Sequence, residues 1–169
     1  MENSKTRKLT TLLVCSIILF LILRVGLGYT FGWFNNGSCS TYLGCVNGFF
    51  GFDILVHFSS GIFIIIFLLW LMDRFPRLNI LHDEFWKNVI ILAAIAVFIG
   101  ISWEMWEFVL DHYRMLILHQ DLLHPMNLLM QASNDDTMGD LTFGFLGAIS
   151  AIFSLRKFMP EVFKKEKTA

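Results

Sequence analysis

Four long apolar runs alternate along the chain with polar connections, and each is long enough to cross a bilayer as a helix. The first covers residues 9–34 and closes on Tyr29, Phe31, Trp33 and Phe34; the others cover 49–72, 88–110 and 136–155. The pattern predicts an all-α, polytopic integral membrane protein whose four transmembrane helices form one domain over residues 1–169. Residues 111–135 interrupt it. There DHYRMLILHQDLLHPMNLLMQ is broken by Asp111, Arg114, Asp121, three histidines and Pro125, which predicts an amphipathic segment at the interface between helices three and four. The basic start before LLVCSIILFLIL has the outline of a signal peptide. Yet no A-x-A-like site follows and the apolar run continues through Arg24, so an uncleaved helix is the better reading.

The polar residues inside the apolar runs carry the next step. In ISWEMWEFVLD, Glu104, Glu107 and Asp111 stand at i, i+3 and i+7, which places them on one helical face. Such a stripe does not face lipid, because a carboxylate at the centre of a span costs about 2.5–3.5 kcal/mol on insertion scales. The other runs hold similar pairs. Asp53 and His57 are i, i+4, Asp136 and Asp140 are i, i+4, and the first helix holds Arg24. In the fourth run Gly139, Gly144, Gly147 and Ala148 recur at about one-turn spacing, which lets a neighbouring helix come close.

Composition agrees with a membrane protein: 56% of the residues are hydrophobic, 16% are charged and the mean hydropathy is +0.62. No basic stretch interleaved with aromatics suggests a nucleic-acid partner. The net charge of −1 is uninformative, but the placement of the cations is not. Lys and Arg gather before helix one, between helices two and three, and after helix four, while residues 35–48 hold none. By the positive-inside rule both termini are expected in the cytoplasm, as for a multi-pass protein of the inner (cytoplasmic) membrane. Residues 35–48 and 111–135 then lie outside, where Cys39 and Cys45 meet an oxidising compartment and suit a small disulfide. Cys15, within an apolar helix, reads as a small buried hydrophobe. The five tryptophans, Trp33, Trp70, Trp86, Trp103 and Trp106, read as an interfacial belt.

That topology brings the intramembrane charges to one level. At 1.5 Å per residue, Arg24 rises ~22 Å from the cytoplasmic start of its helix, and His57 descends ~10 Å from the outer side. Glu104 and Glu107 sit ~5–9 Å below the outer end of helix three and Asp140 ~6 Å below the start of helix four. Asp53, Glu104, Glu107, Asp136 and Asp140 then bring five carboxyl groups against Arg24 and a titratable His57. Neutrality requires protonation, water or a bound cation. A divalent metal explains why a histidine stands among the acids, as carboxylates and imidazoles from facing helices hold metals in other bundles. The donor set of His57, Glu104, Asp140 and Asp53 suits Zn²⁺, Mn²⁺ or Fe²⁺ better than Mg²⁺ or Ca²⁺. Asp53 and Asp136 also suit helix N-caps, and Arg24 is most simply a structural counter-ion.

These motifs, DILVHFSSG (Asp53, His57, Phe58, Gly61), WEMWE (Glu104, Glu107) and DTMGDLTFGFLGA (Asp136, Asp140, Gly147, Ala148), resemble the YjdF-like family of small bacterial inner-membrane proteins. In that family D-x-x-x-H-F, E-x-x-E and D-x-x-x-D elements recur in this order, followed by Gly-Ala. The last element departs from it, since Asp135 and Met138 replace the family's usual Trp and Gln. The resemblance implies a polytopic helical membrane protein and names no reaction.

Three functions fit these residues. The first is a metal-dependent enzyme acting on a lipid or envelope substrate, with Glu107 or Asp136 as general base. The second is an ion- or proton-coupled transport component, against which stands the nearly uncharged inner half of the membrane. The third is an accessory protein whose polar network only fixes the packing.

Overall fold

The computed structural model describes residues 4–23, 52–118 and 134–163, and side chains over 4–23, 54–113 and 137–163. Among these residues are four α-helices and no strand: α1 (Ser4–Leu21), α2 (Phe52–Arg74), α3 (Phe85–Leu118) and α4 (Asn134–Phe158). Short 3₁₀ turns follow α2 (Pro76–Leu78) and α4 (Pro160–Phe163). Three stretches among the described residues are long and apolar enough to cross a membrane: Ile54–Arg74, Phe85–Tyr113 and Thr137–Phe158.

The helices stop where the sequence removes the means to continue. Phe75 precedes Pro76, and the proline ring excludes the α-region from the residue before it; Phe75 accordingly has φ −123° and ψ 86°. The chain is then tied to α3 through Asn88, only 1% exposed, whose Oδ1 accepts from the His82 amide at 2.6 Å while its Nδ2 donates to the His82 carbonyl at 2.8 Å. These bonds satisfy a turn that would otherwise hold unpaired backbone groups. Beyond α4, Pro160 opens the turn that buries Val162 and Phe163.

One end of the bundle gathers the starts of α1 and α3 and the ends of α2 and α4. Lys5 Nζ lies 2.9 Å from Asp73 Oδ1, and Thr6 Oγ1 donates to Asp73 Oδ2 at 2.7 Å. One turn deeper, Trp70 Nε1 donates to Thr10 Oγ1 at 3.2 Å. Lys8 reaches Glu161 at 3.2 Å, and Phe85 packs on Phe163 with ring centroids 5.6 Å apart. Successive helices therefore run antiparallel, and the first and last described segments share this end, called the foot below. Leu9, Ile65, Leu69, Leu92 and Ile152 fill the core above it.

The closest helix contact is between α2 and α4, and it is made by backbone. A Cβ on Gly61 would collide with the Gly144 carbonyl oxygen and stand 2.8 Å from the Ala148 nitrogen. A Cβ on Gly147 would likewise collide with the Phe58 carbonyl oxygen. The small-residue stripe read from the fourth run is thus the seam, with Gly61 its partner on α2. Gly139 is not part of it, since the space around its Cβ position is open to 4 Å.

Several boundaries differ from the sequence pattern. Residues 111–118, assigned to an interfacial segment, continue α3, because Arg114 and the acids ahead of it interrupt hydropathy without breaking a helix. At ~51 Å, α3 is far longer than the ~30 Å hydrocarbon core and projects beyond it. Helix α1 starts at Ser4 rather than at the first apolar residue, and its basic first turns keep its described residues from qualifying as a span. Cys15 is exposed rather than buried, because α1 packs along one face only and Cys15 is on the other.

Gly61→Leu and Gly147→Leu are expected to lower the thermal midpoint of the detergent-purified protein strongly, since overpacking against backbone costs about 1–3 kcal/mol or more. Gly139→Ala is expected to stay within about 0.5 kcal/mol of the parent. Unfolding followed by circular dichroism checks both.

Candidate functional site

At the end of the bundle away from the foot, three helices each contribute one ionisable side chain to a common point. His57 sits in the second turn of α2, Asp140 in the second turn of α4, and Glu104 beyond the middle of α3. Counted along each helix from the foot, they stand ~26, ~27 and ~29 Å away, which puts them at one level near the far boundary of a bilayer core. One ligand atom from each lies within 4.8 Å of those of the other two. His57 Nε2 is 3.5 Å from Asp140 Oδ2.

The glycine seam explains part of this convergence. His57 adjoins Phe58, whose carbonyl lies against Gly147, and the His57 carbonyl oxygen stands 3.7 Å from where a Gly144 Cβ would be. Asp140 is one turn before Gly144. Two of the three groups are therefore carried on turns whose backbones touch, while Glu104 arrives independently on α3.

Burial separates this end of the chain from an ordinary charged surface. Glu104 and Glu107 are each 5% exposed, Asp111 4% and Asp140 6%. The i, i+3, i+7 face on α3 thus points inward along its whole length. Residues between the acids, Met105, Trp106, Phe108 and Val109, are more than half exposed and form the opposite, apolar face. Among the described side chains, every Lys and Arg belongs to the foot segments.

Trp103 was read as part of an interfacial belt, but its indole has a specific partner. Nε1 donates to Glu107 Oε1 at 2.7 Å, although the ring is 48% exposed. The i, i+4 spacing of Trp103 and Glu107 was the available signal, and the belt reading passed over it. His112, which stands above the group, is exposed and stacks on Phe108 at 5.6 Å. His82 is exposed at the foot.

The remaining assigned positions lie outside the described residues: Arg24, Cys39 and Cys45 entirely, and Asp53 and Asp136 in their side chains. Asp53 is in the first turn of α2 and Asp136 in the first turn of α4, one turn before His57 and Asp140.

Chemically, an imidazole and two carboxylates facing one another form a hard-oxygen-plus-nitrogen donor set. Metal–ligand distances of about 2.0–2.2 Å bring such donors to roughly 3–4 Å from one another. Rotamer adjustments of about an ångström would close the group to that size.

Residues 1–160 match the profile of a family described as "Predicted membrane protein (DUF2238)". No functionally curated protein and no solved structure shows significant similarity to the chain.

Trp103→Phe is expected to destabilise the protein by about 1.5–3 kcal/mol, the range for a hydrogen bond to a charged group. Trp106→Phe, whose residue is slightly more exposed, is expected to change stability by less than about 0.5 kcal/mol. Adding Glu107→Gln to Trp103→Phe should cost less than it does alone, a non-additivity that a double-mutant cycle in denaturant measures.

Proposed function

The chain belongs to this family of membrane proteins, DUF2238, which includes the YjdF-like proteins, and from that premise we propose that its bundle holds a divalent cation between His57, Glu104 and Asp140. The observation that carries the proposal is the meeting of these ligand atoms, within 4.8 Å, from three different helices. The chemistry of the donors supports it, since one imidazole and two carboxylates are a ligand set that borderline divalent cations take. Asp53, one turn from His57, is the candidate fourth ligand, and Zn²⁺, Mn²⁺ or Fe²⁺ fits this set better than Mg²⁺ or Ca²⁺.

In this reading α1 continues past Leu21 as a fourth span, and Arg24 is a counter-ion to the acids. The foot faces the cytoplasm of the inner membrane, a reading the cation distribution supports, and the site opens toward the outer leaflet. Cys39 and Cys45 pair on that outer side. A cation at this depth supplies Lewis acidity toward an ester or phosphoester oxygen, which suits hydrolysis of a lipid or envelope substrate reached from the outer leaflet. Glu107, one turn from Glu104 and held by the Trp103 indole, is placed to accept a proton there; Asp136, one turn before Asp140, is the other candidate base.

Elemental analysis of the purified protein is expected to give one divalent metal ion per chain. His57→Ala and Asp140→Asn should each weaken retention by more than the 10–100-fold typical of losing an outer-shell partner, while Glu107→Gln should leave the metal in place. A folded, metal-free parent protein after purification without chelator and after incubation with Zn²⁺, Mn²⁺ and Fe²⁺ overturns the proposal.

A further inference from the structure

The foot of the bundle carries a second constellation, independent of the carboxylate site. The α3 span begins at Phe85 and the α4 span ends at Phe158, so residues about these positions stand where the hydrocarbon core gives way to headgroups. Arg156 lies over the Phe85 ring, 5.0 Å from its centroid, and Lys157 over the Phe158 ring at 5.3 Å. Trp86 packs edge-on against Phe153 with centroids 5.9 Å apart, yet it is 66% exposed, and Phe158 is 74% exposed.

The ionic pairing at this corner is uneven. Lys87 is held by Glu84 at 2.7 Å, Lys5 by Asp73 and Lys8 by Glu161. Arg156 and Lys157 are exposed, and among the described residues neither is paired with a carboxylate. The cation–π contact with Phe85 holds the exposed Arg156 guanidinium at this corner, and a guanidinium is suited to bidentate binding of an oxyanion. The exposed Trp86 and Phe158 rings offer apolar faces at the depth of the glycerol and upper acyl chain, where amphipathic aromatics anchor.

We infer that Arg156 and Lys157, flanked by Trp86 and Phe158, form a binding site for the phosphate of an anionic phospholipid in the leaflet at the foot. The occupant is a lipid rather than free phosphate because the cations and the exposed rings lie together at the ends of two spans, matching a molecule that is charged at one end and apolar at the other. An uncharged or zwitterionic headgroup gains less there, since basic side chains at a membrane surface are drawn to lipids of net negative charge.

Native mass spectrometry of the full chain in detergent, with phosphatidylglycerol or phosphatidylcholine of identical acyl chains, tests this. Retention of one phosphatidylglycerol per chain in preference to phosphatidylcholine is expected. The double variant Arg156→Gln/Lys157→Gln should retain it at least about tenfold less, equivalent to 1.4 kcal/mol. Arg7→Gln, an exposed cation on α1, should retain it as the parent does. Equal retention of the two lipids, an unchanged double variant, or an equal loss with Arg7→Gln overturns the site. An unaltered thermal midpoint of the variants shows that retention and not folding was changed, and the outcome does not depend on whether metal is bound at the opposite end.

Discussion

Contact between the backbones of α2 and α4 is the constraint on which the rest of the bundle depends. Helices separated by ordinary side chains keep their axes 8–10 Å apart. Here Gly61 meets the Gly144 carbonyl and Gly147 meets that of Phe58, positions from which any side chain would push the helices away from each other. In lipid no hydrophobic force drives apolar helices together, so such close packing is what association has to rest on. Because the seam runs through the turns beside His57 and Asp140, it also sets the 3.5 Å separation of those two groups.

Polarity is divided between the two ends. The foot collects the described lysines and arginines, satisfied in part by Asp73 and Glu161 and by the Phe85 ring. The other end collects buried acids with a histidine among them. Between them Ile65, Leu69, Leu92 and Ile152 are fully buried apolar side chains. A layered arrangement of this kind holds the foot by ion pairs and aromatic contacts and sets the buried acids at the opposite end.

α3 differs from its neighbours. It packs mainly on α4 and turns Ile90, Phe98, Met105 and Phe108 outward, which is the expected face toward acyl chains. Its inward face is where Glu104, Glu107 and Asp111 lie. A helix amphipathic in this inverted sense has its polar side buried and its apolar side exposed, so hydropathy summed along it hides the functional stripe and only the three- and four-residue spacing shows it.

Much of this was legible before any coordinates. Apolar runs longer than a bilayer is thick admit few structures other than helices, and the spacing of Glu104, Glu107 and Asp111 placed them on one buried face. The order of the runs, with antiparallel neighbours, was enough to bring His57, Glu104 and Asp140 to one depth, because helical rise is a constant. Depth is a coordinate along the helix axis, however, and says nothing about rotation around it. Only the tertiary structure decided that these three side chains turn toward each other, that Gly61 rather than Gly139 joins Gly144 and Gly147 in the seam, and that Trp103 bonds Glu107. Cys15 and the extension of α3 to Leu118 were misread for a related reason: lateral packing sets exposure, and a few charges do not end a helix whose backbone hydrogen bonds continue. Periodicity and length are local properties that a chain carries in its residues, whereas the azimuth of each helix is settled by which neighbours it touches.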